Sequence, residues 1–253
     1  MNSKEFIRAE QVNASPKLNG VSQQELMKNE IDGVTLQYVT LNRGEYFENQ
    51  SVDEKITVLL FLAGHGNIGQ GDMEMEVSDL SVLIPKPDLP FRISSVDQKL
   101  EFMEISLRLN PADKSYLNRH ANTYPYFVRY ADCKPYKEDI KSEKTGSRML
   151  IPDGIVPRIS IGSVQTSGPD IVGAHKHPML EQLFYGLPGN CCIVHADGHE
   201  REFCENTLLH IPLGSMHGVR VEEGRHLHYI WMDFFRNQED MSYITDSHIV
   251  EDD

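Results

Sequence analysis

Basic residues and long apolar runs are both scarce in this 253-residue sequence. Lysine and arginine number 24 against 38 aspartate and glutamate residues, which gives a formal net charge of −14. Binding to a phosphate backbone calls for a basic face, so we expect no nucleic-acid partner. The longest apolar run, ITVLLFLAG at 56–64, is too short to cross a bilayer, so we expect no membrane partner either.

Cysteine is also sparse. The four cysteines, Cys133, Cys191, Cys192 and Cys204, form no C-x-x-C motif and no disulfide framework. The first twenty residues contain no apolar segment of the kind found in secretory signals. We therefore expect a cytoplasmic protein with reduced thiols. The adjacent Cys191–Cys192 pair leaves two alternatives open, redox activity or the packing of one thiol in a core.

Helical periodicity is confined to two short stretches, around 21–30 and around 111–120. Elsewhere, short runs rich in Val, Ile, Phe and Tyr are bounded by Gly, Pro, Asn and Asp, a pattern typical of all-β sandwiches and barrels. Hydrophobic residues make up 40% of the chain and charged residues 25%, as in ordinary globular proteins. The sequence predicts an all-β fold with few short helices.

A weak internal repeat relates the two halves of the chain. Residues 83–106 align with residues 210–234 at an offset of 127, so that Leu100 meets Leu227. A period of this length indicates a duplicated domain. The predicted divisions are an N-terminal arm (1–30), a first β-domain (31–107), a charged linker (108–155), a second β-domain (156–236) and an acidic tail (237–253).

The second β-domain contains a cluster of residues that bind metals. His175 and His177 lie two positions apart on one strand and so face the same side. Glu181 follows after a short turn, and the spacing P-x-G-x-x-H places His217 after a Pro/Gly turn. Three imidazoles and a carboxylate suit one divalent transition metal ion (Mn, Fe, Ni, Co or Zn) better than calcium or magnesium.

Coincidence is the alternative explanation of this cluster. An isolated H-x-H pair is common by chance in a chain with 11 histidines, and His226 and His228 form a second one. No P-x-G-x-x-H follows that second pair. The complete pattern is far rarer than either part, so we predict a metal site.

The spacing G-x-H-x-H-x3-E-x7-G followed by P-x-G-x-x-H resembles the two sequence motifs of the cupin superfamily. Together with the duplication, the chain resembles a bicupin, most strongly over 173–217 and more weakly over 31–236. The resemblance implies two tandem double-stranded β-helices, or jelly-roll barrels. It also implies one metal ion in the second barrel, ligated by His175, His177, Glu181 and His217.

The first barrel departs from the motif. Overlaying the repeats puts Gln50, Val52 and Ile56 near the positions of the paired histidines and the glutamate, and Pro90 opposite the last histidine. None of these side chains holds a transition metal, so we expect a metal-free barrel. It is either structural or retains a pocket for an organic ligand.

Strand alternation predicts which side chains surround the metal. Tyr185 shares a face with the glutamate, so it is predicted to transfer protons or orient the substrate, unless its hydroxyl lies in water at the barrel mouth. His228 takes the proton-transfer role if its face of the last strand points inward. Ser163 and Gln165, polar residues on an otherwise apolar face, are predicted to line the substrate pocket.

Four protein ligands leave one or two positions on such an ion open to a substrate, which suits Lewis-acid chemistry. We expect a metal-dependent isomerase or lyase whose small-molecule substrate is a polar, carbohydrate-derived acid. The alternatives are an Fe(II)-dependent dioxygenase and a non-catalytic small-molecule-binding protein. A bicupin can bury within one chain the surface through which single cupins dimerise, so we expect a monomer or a homodimer.

Overall fold

The computed structural model describes residues 7–13, 20–50, 54–97, 99–241 and 249–250. The chain divides into an N-terminal unit, residues 12–133, and a C-terminal unit, residues 1–11 together with 134–253. Both units consist mainly of antiparallel strands, so the all-β prediction is confirmed. Within the described ranges, no helix has the length and apolar character needed to cross a membrane.

The N-terminal unit is built from two sheets. The first strand of the chain, β1 (Ala9–Gln11), belongs to the other unit. The strands that follow are β2 (Val21–Leu26), β3 (Val34–Asn42), β4 (Tyr46–Asn49), β5 (Lys55–Ala63), β6 (His65–Gln70), β7 (Met73–Ser78), β8 (Ser81–Ile84), β9 (Phe91–Ser95), β10 (Lys99–Arg108) and β11 (Tyr126–Arg129). The sheet orders are β11-β8-β5-β10-β3-β2 and β4-β9-β6-β7. Phe61 and Phe102 of the first sheet share one buried cluster with Ile68 and Ile93 of the second, so the sheets face each other across a core.

The C-terminal unit has the same construction. Its strands are β12 (Lys134–Tyr136), β13 (Gly146–Val156), β14 (Ile159–Ser167), β15 (Asp170–Lys176), β16 (Leu180–Gly186), β17 (Cys191–Ala196), β18 (His199–Cys204), β19 (Thr207–Ile211), β20 (His217–Val221), β21 (His226–Phe235) and β22 (Ile249–Val250). The sheet orders are β1-β19-β16-β21-β14-β13-β12 and β18-β17-β20-β15-β22. Val164 and Phe184 of the first sheet cluster with Val194 and Phe203 of the second.

The predicted duplication is visible in the strand orders. The run β8-β5-β10-β3 corresponds to β19-β16-β21-β14, and β4-β9-β6-β7 corresponds to β15-β20-β17-β18. Strand β10 begins at Lys99 and β21 at His226, which is the offset of 127 seen in the sequence. Each unit therefore pairs its sheets as a jelly-roll barrel does.

Of the two short helices that the sequence predicts, the structure contains one. Residues 21–30 were expected to be helical, which is wrong: β2 pairs along its whole length with β3, from Val21–Leu41 to Leu26–Leu36. Pairing with a neighbouring strand outweighs the weak local helical pattern. The helix near 111–120 is confirmed as α1 (Pro111–Arg119), whose first turn is closed by a capping box between Asn110 and Asp113.

The predicted division of the chain also differs from the structure. Residues 108–155 are not a linker, because they contain regular structure that belongs to one unit or the other. The N-terminal unit includes α1, two 3-10 turns (Ala121–Thr123 and Tyr130–Asp132) and β11, and the C-terminal unit includes β12 and β13. Part of the supposed N-terminal arm, β1, pairs with β19, and part of the supposed tail, β22, pairs with β15. Charge and turn residues are typical of linkers, but here they belong to edge strands and connections.

Candidate metal centre

Three of the four predicted metal ligands lie together in the C-terminal unit. His175 lies on β15 and His217 on the neighbouring β20, where the two residues are directly paired. His177 follows the end of β15. The three side chains are buried, at 7%, 2% and 4% exposure respectively, and each offers a ring nitrogen within 4.8 Å of the others.

The turn before β20 explains why the P-x-G-x-x-H spacing matters. The N–H of Ser215 donates to the carbonyl of Pro212 at 3.1 Å, which closes the turn. Gly214 adopts a positive φ of 72°, a conformation that favours glycine. Its N–H donates to the carbonyl of His177 at 3.2 Å, so the turn is joined to the first histidine motif. The chain then runs directly into His217.

Backbone carbonyls set the protonation of two of the imidazoles. His175 Nδ1 lies 2.8 Å from the carbonyl oxygen of Gly173, and His217 Nδ1 lies 3.0 Å from that of Ser215. A carbonyl only accepts hydrogen bonds, so each Nδ1 carries the proton and each Nε2 keeps its lone pair. This arrangement fixes metal-binding histidines in proteins, and the three residues fit a metal ion on these grounds.

Gln182, rather than Glu181, stands beside the histidines. Gln182 lines the same cavity as the three imidazoles and is 7% exposed. Its Nε2 donates to Asp233 Oδ1 at 2.8 Å, and among the described residues its buried Oε1 has no hydrogen-bond partner. A buried amide oxygen in this condition is available as a ligand. A metal ion held by the three imidazoles and this amide would have only neutral protein ligands.

The prediction that Glu181 ligates the metal is not supported by its position. Its Oε2 instead accepts a hydrogen bond from His210 Nε2 at 2.9 Å, and the residue lies outside both the histidine cluster and the cavity lining. Gln182 comes one residue after the position that the H-x-H-x3-E spacing assigns to the ligand. Because successive strand residues point to opposite faces, that one residue exchanges Glu181 for Gln182.

The histidines open onto a cavity of about 690 Å³, a size suited to a small organic ligand. Phe184 on β16 and both Tyr229 and Trp231 on β21 form its aromatic wall. Gly162 on β14 leaves space for the indole, because a Cβ there would lie 2.3 Å from Trp231 Cζ2. Phe184 lies close to the cluster, with its ring centroid 6.1 Å from that of His217.

Residues 137–141, between β12 and β13, bring charged groups to the same cavity. The side chain of Lys141 is 7% exposed and forms an ion pair with Glu138. Burial lowers the pKa of Lys141, while Glu138 acts to raise it. The N–H of Gly173 donates to the carbonyl of Ile140 at 2.8 Å, which fastens this segment to β15 beside the histidines.

Two carboxyl groups also line the cavity. Asp233 is 3% exposed, and burial raises its pKa to about 8 against the opposing effect of the Gln182 hydrogen bond. Asp153 accepts a hydrogen bond from Ser160 Oγ at 2.7 Å, and burial raises its pKa as well. Of the two carboxyl groups, Asp233 is the one that accepts a hydrogen bond from the candidate ligand Gln182.

The side chains predicted to surround the metal lie elsewhere. Tyr185 donates from its hydroxyl to Asn206 Oδ1 at 3.1 Å, and His228 has a pKa lowered by burial, but neither lines the cavity. Ser163 is buried and Gln165 exposed, and the cavity is lined from β14 by Ser160 and Val164 instead. All four assignments rested on strand parity, and the opposite parity faces the cavity.

Sequence reasoning missed Gln182, Lys141 and Asp233. The amide could have been found by allowing one more residue between the second histidine and the fourth ligand. Asp233 could have been found from its place on an otherwise aromatic and apolar strand, YIWMDFF. Lys141 gave no signal, because it lies in the charged stretch that resembled a linker.

The positions equivalent to the metal site differ in the N-terminal unit. Asn49 pairs with Phe91 where His175 pairs with His217, and Thr57 takes the place of Gln182. The sequence overlay with Gln50 and Pro90 was thus displaced by one residue, whereas Ile56 does correspond to Glu181; Val52 lies outside the described residues. The described residues at these positions include no imidazole.

Comparison with known proteins rests on structure. No known protein family matches the sequence, and no curated protein does. A formate complex of oxalate decarboxylase from Lactobacillus farciminis is 15% identical, with a TM-score of 0.68 over 91% of this chain and 86% of that one. A cupin 2 conserved barrel domain protein from Leptotrichia buccalis is 14% identical, with a TM-score of 0.65 over 92% and 99%. The chain has the cupin fold.

A third similar structure, a protein from Pseudomonas aeruginosa described as glyoxylate-induced, is 10% identical, with a TM-score of 0.74 over 92% of this chain and 91% of that one. These matches extend over both units. At such low identity the likeness concerns the fold alone, so the chemistry of this chain must be argued from its own side chains.

Proposed function

We propose that this cupin is a metal-dependent isomerase or lyase acting on a small, polar, carbohydrate-derived acid. The observation that carries the proposal is a shared cavity. Three buried imidazoles, the buried ammonium of Lys141 and the buried carboxyl of Asp233 all open onto one volume suited to a small molecule. One neighbour by fold is named an oxalate decarboxylase, which supports chemistry on small acids within this architecture.

The metal would be held by His175, His177, His217 and the Oε1 of Gln182. When bound, a divalent transition metal supplies Lewis-acid polarisation of a carbonyl or hydroxyl oxygen. The four donors are neutral, so they leave the positive charge of an ion undiminished. An acid is therefore attracted to this site by charge as well as by shape.

Lys141 is the residue we expect to bind the substrate's carboxylate. A carboxylate entering the cavity meets a cation that is already desolvated, so the water around Lys141 need not be removed on binding. Glu138 holds the ammonium in place until then. The segment 137–141 also covers the cavity beside β15 and limits the entry of water.

Asp233 replaces Tyr185 and His228 as the expected proton-transfer group. It is a cavity-lining carboxyl whose Oδ1 is engaged by Gln182, which leaves Oδ2 to exchange a proton with a bound substrate. Isomerisation and β-elimination both require a proton to move between a carbon and an oxygen or solvent. The aromatic wall keeps bulk water from competing for that proton.

The test is a reconstitution screen. Metal-free protein is loaded in turn with Mn, Fe, Ni, Co and Zn, and small sugar acids and keto acids are supplied with and without oxygen while products are followed by NMR. We expect close to one ion per chain and turnover without oxygen. His217→Ala should abolish both, whereas His226→Ala, which removes an exposed histidine, should preserve both.

The other outcomes are decisive as well. Turnover that requires Fe(II) and consumes oxygen would replace this proposal with a dioxygenase, and ligand binding without turnover would leave a binding protein. Lys141→Met should raise KM about tenfold or more, since each 1.4 kcal/mol of lost binding is a factor of ten. Lys144→Met, an exposed neighbour outside the cavity, is the matched control.

A further inference from the structure

Two cysteines on adjacent strands of the C-terminal unit face each other away from the metal centre. Cys191 on β17 is directly paired with Cys204 on β18, and their sulfur atoms lie 2.7 Å apart. Both residues are partly exposed, whereas Cys192 is buried among core side chains. Directly paired residues of an antiparallel ladder have Cα separations of about 4.5–5.5 Å, which lie within the range that a disulfide spans.

The charges around the pair favour reaction at sulfur over binding of a cation. Arg225 Nη1 lies 3.4 Å from Cys191 Sγ and 2.7 Å from Glu202 Oε1. A guanidinium at this distance stabilises negative charge developing on the sulfur. It also engages Oε1 of Glu202, which lies 3.9 Å from Cys191 Sγ and belongs to the third group that could join the two thiols around a metal ion. A cation would have to compete with Arg225 for this oxygen.

We infer that Cys191 and Cys204 form a reversible disulfide by exchange with a low-molecular-weight disulfide. The Cys191 thiolate attacks one sulfur of the small disulfide, and a first small thiolate leaves. Cys204 then loses its proton to solvent and attacks Cys191 Sγ, and a second small thiolate leaves. The protein loses two protons and two electrons, and the small disulfide is reduced to two thiols.

The order of the two steps follows from the surroundings. Arg225 contacts Cys191, so Cys191 attacks first. Burial and the hydrogen bond with Cys191 raise the pKa of the Cys204 thiol, which suits it to the second, intramolecular step, where proximity replaces acidity. Cys192 takes no part, since its thiol is buried and donates to the carbonyl of Phe203.

The cross-link would fasten an edge of the sheet. Strand β18 is the last strand in its sheet and is held there by β17, whose other neighbour, β20, carries His217. A bond between positions 191 and 204 closes the β17–β18 hairpin at its open end. Closing a loop of this length restricts the unfolded chain, so the oxidised protein should melt at a higher temperature than the reduced one.

The experiment uses the full-length chain, reduced, treated with a chelator and then incubated with oxidised glutathione. Peptide mapping by mass spectrometry without reduction should find residues 191 and 204 joined, and the melting temperature should rise and then fall again after dithiothreitol. Cys191→Ser and Cys204→Ser should each lose the cross-link and the shift. Cys133→Ser, in the other unit, should keep both.

Three results would overturn the inference. The first is a persistent glutathione adduct on Cys191 with Cys204 still free to be alkylated. The second is a Cys191–Cys192 linkage in place of the cross-strand bond. The third is zinc bound to unoxidised thiols after the chelator is removed, which would make the pair a metal site. Melting of each reduced variant beside the reduced parent shows that it is folded.

Discussion

Gln182 and Glu181 are adjacent residues on opposite faces of β16, so exchanging each one separately tests where the fourth metal ligand lies. Gln182→Leu keeps the approximate size of the side chain and removes the cavity-facing Oε1. Glu181→Gln keeps an oxygen that can accept the hydrogen bond from His210. The two variants therefore differ in whether the cavity loses a donor atom, and both alter the same strand.

The expected magnitudes are well separated. Gln182→Leu should weaken metal binding about 100-fold, since losses of 10- to 100-fold are typical even for residues that only support a ligand; this corresponds to about 2.8 kcal/mol. It should also destabilise the metal-free fold by about 1–3 kcal/mol, because Asp233 loses the donor that satisfies it. Glu181→Gln should leave metal affinity unchanged within the error of the titration.

Competition with a chromophoric chelator measures the affinity, and urea unfolding of the metal-free proteins measures the stability. Circular dichroism of both variants checks that the sheet structure is retained. If Glu181→Gln lost the metal while Gln182→Leu kept it, the assignment of faces on β16 would be refuted, and with it the neutral donor set. Equal losses in both would point to a general disturbance of the strand.

Two further predictions concern packing and titration. Gly162→Ala should lower the free energy of unfolding by about 1–3 kcal/mol and shift the fluorescence of Trp231, the single tryptophan, because the new methyl would meet the indole; unchanged emission would contradict this. Burial raises the pKa of Glu104 above 4.5, against Lys55 and an Asn49 hydrogen bond, so the folded state favours its protonated form. The free energy of unfolding therefore falls as pH rises from 4.5 through the folded pKa. In urea titrations across that interval, Glu104→Gln should become more stable relative to the parent as pH rises. A difference in free energy of unfolding that does not change with pH would contradict the argument.

The features that could be predicted from the sequence are those that depend on the spacing of nearby residues. The H-x-H pair needs only the alternation of one strand, and P-x-G-x-x-H needs only one tight turn, so the three histidines were placed together without knowledge of the rest of the barrel. The duplication was equally accessible, because an offset of 127 survives in the apolar pattern of β10 and β21.

The features that could not be predicted depend on how the strands and connections pack together in the folded chain. Both faces of β16 are buried, with Leu183 and Tyr185 on one and Gln182 and Phe184 on the other, so hydrophobicity does not mark the cavity side. A parity error of one residue then moves every predicted pocket side chain to the wrong face. Lys141 reaches the cavity through a long connection whose charges resemble those of a solvent-exposed linker.

The two units have the same strand arrangement but different side chains at the position of the cavity. At the position of the histidine cavity, the N-terminal unit has a space of only about 20 Å³, lined by Asn49, Thr57 and Phe91 among others. Asn49 donates to the buried Glu104, which stands where the C-terminal unit has Trp231.

Buried polar groups need a hydrogen-bond partner, and at this place in the N-terminal unit Asn49 and Glu104 are each other's partners. In the C-terminal unit the Oε1 of Gln182 has no such partner among the described residues, beside imidazoles whose Nε2 lone pairs are held ready. At this position the N-terminal unit pairs its buried polar side chains with each other, whereas the C-terminal unit has donor atoms suited to a metal ion. Elemental analysis giving one ion per chain would support that division, and two would contradict it.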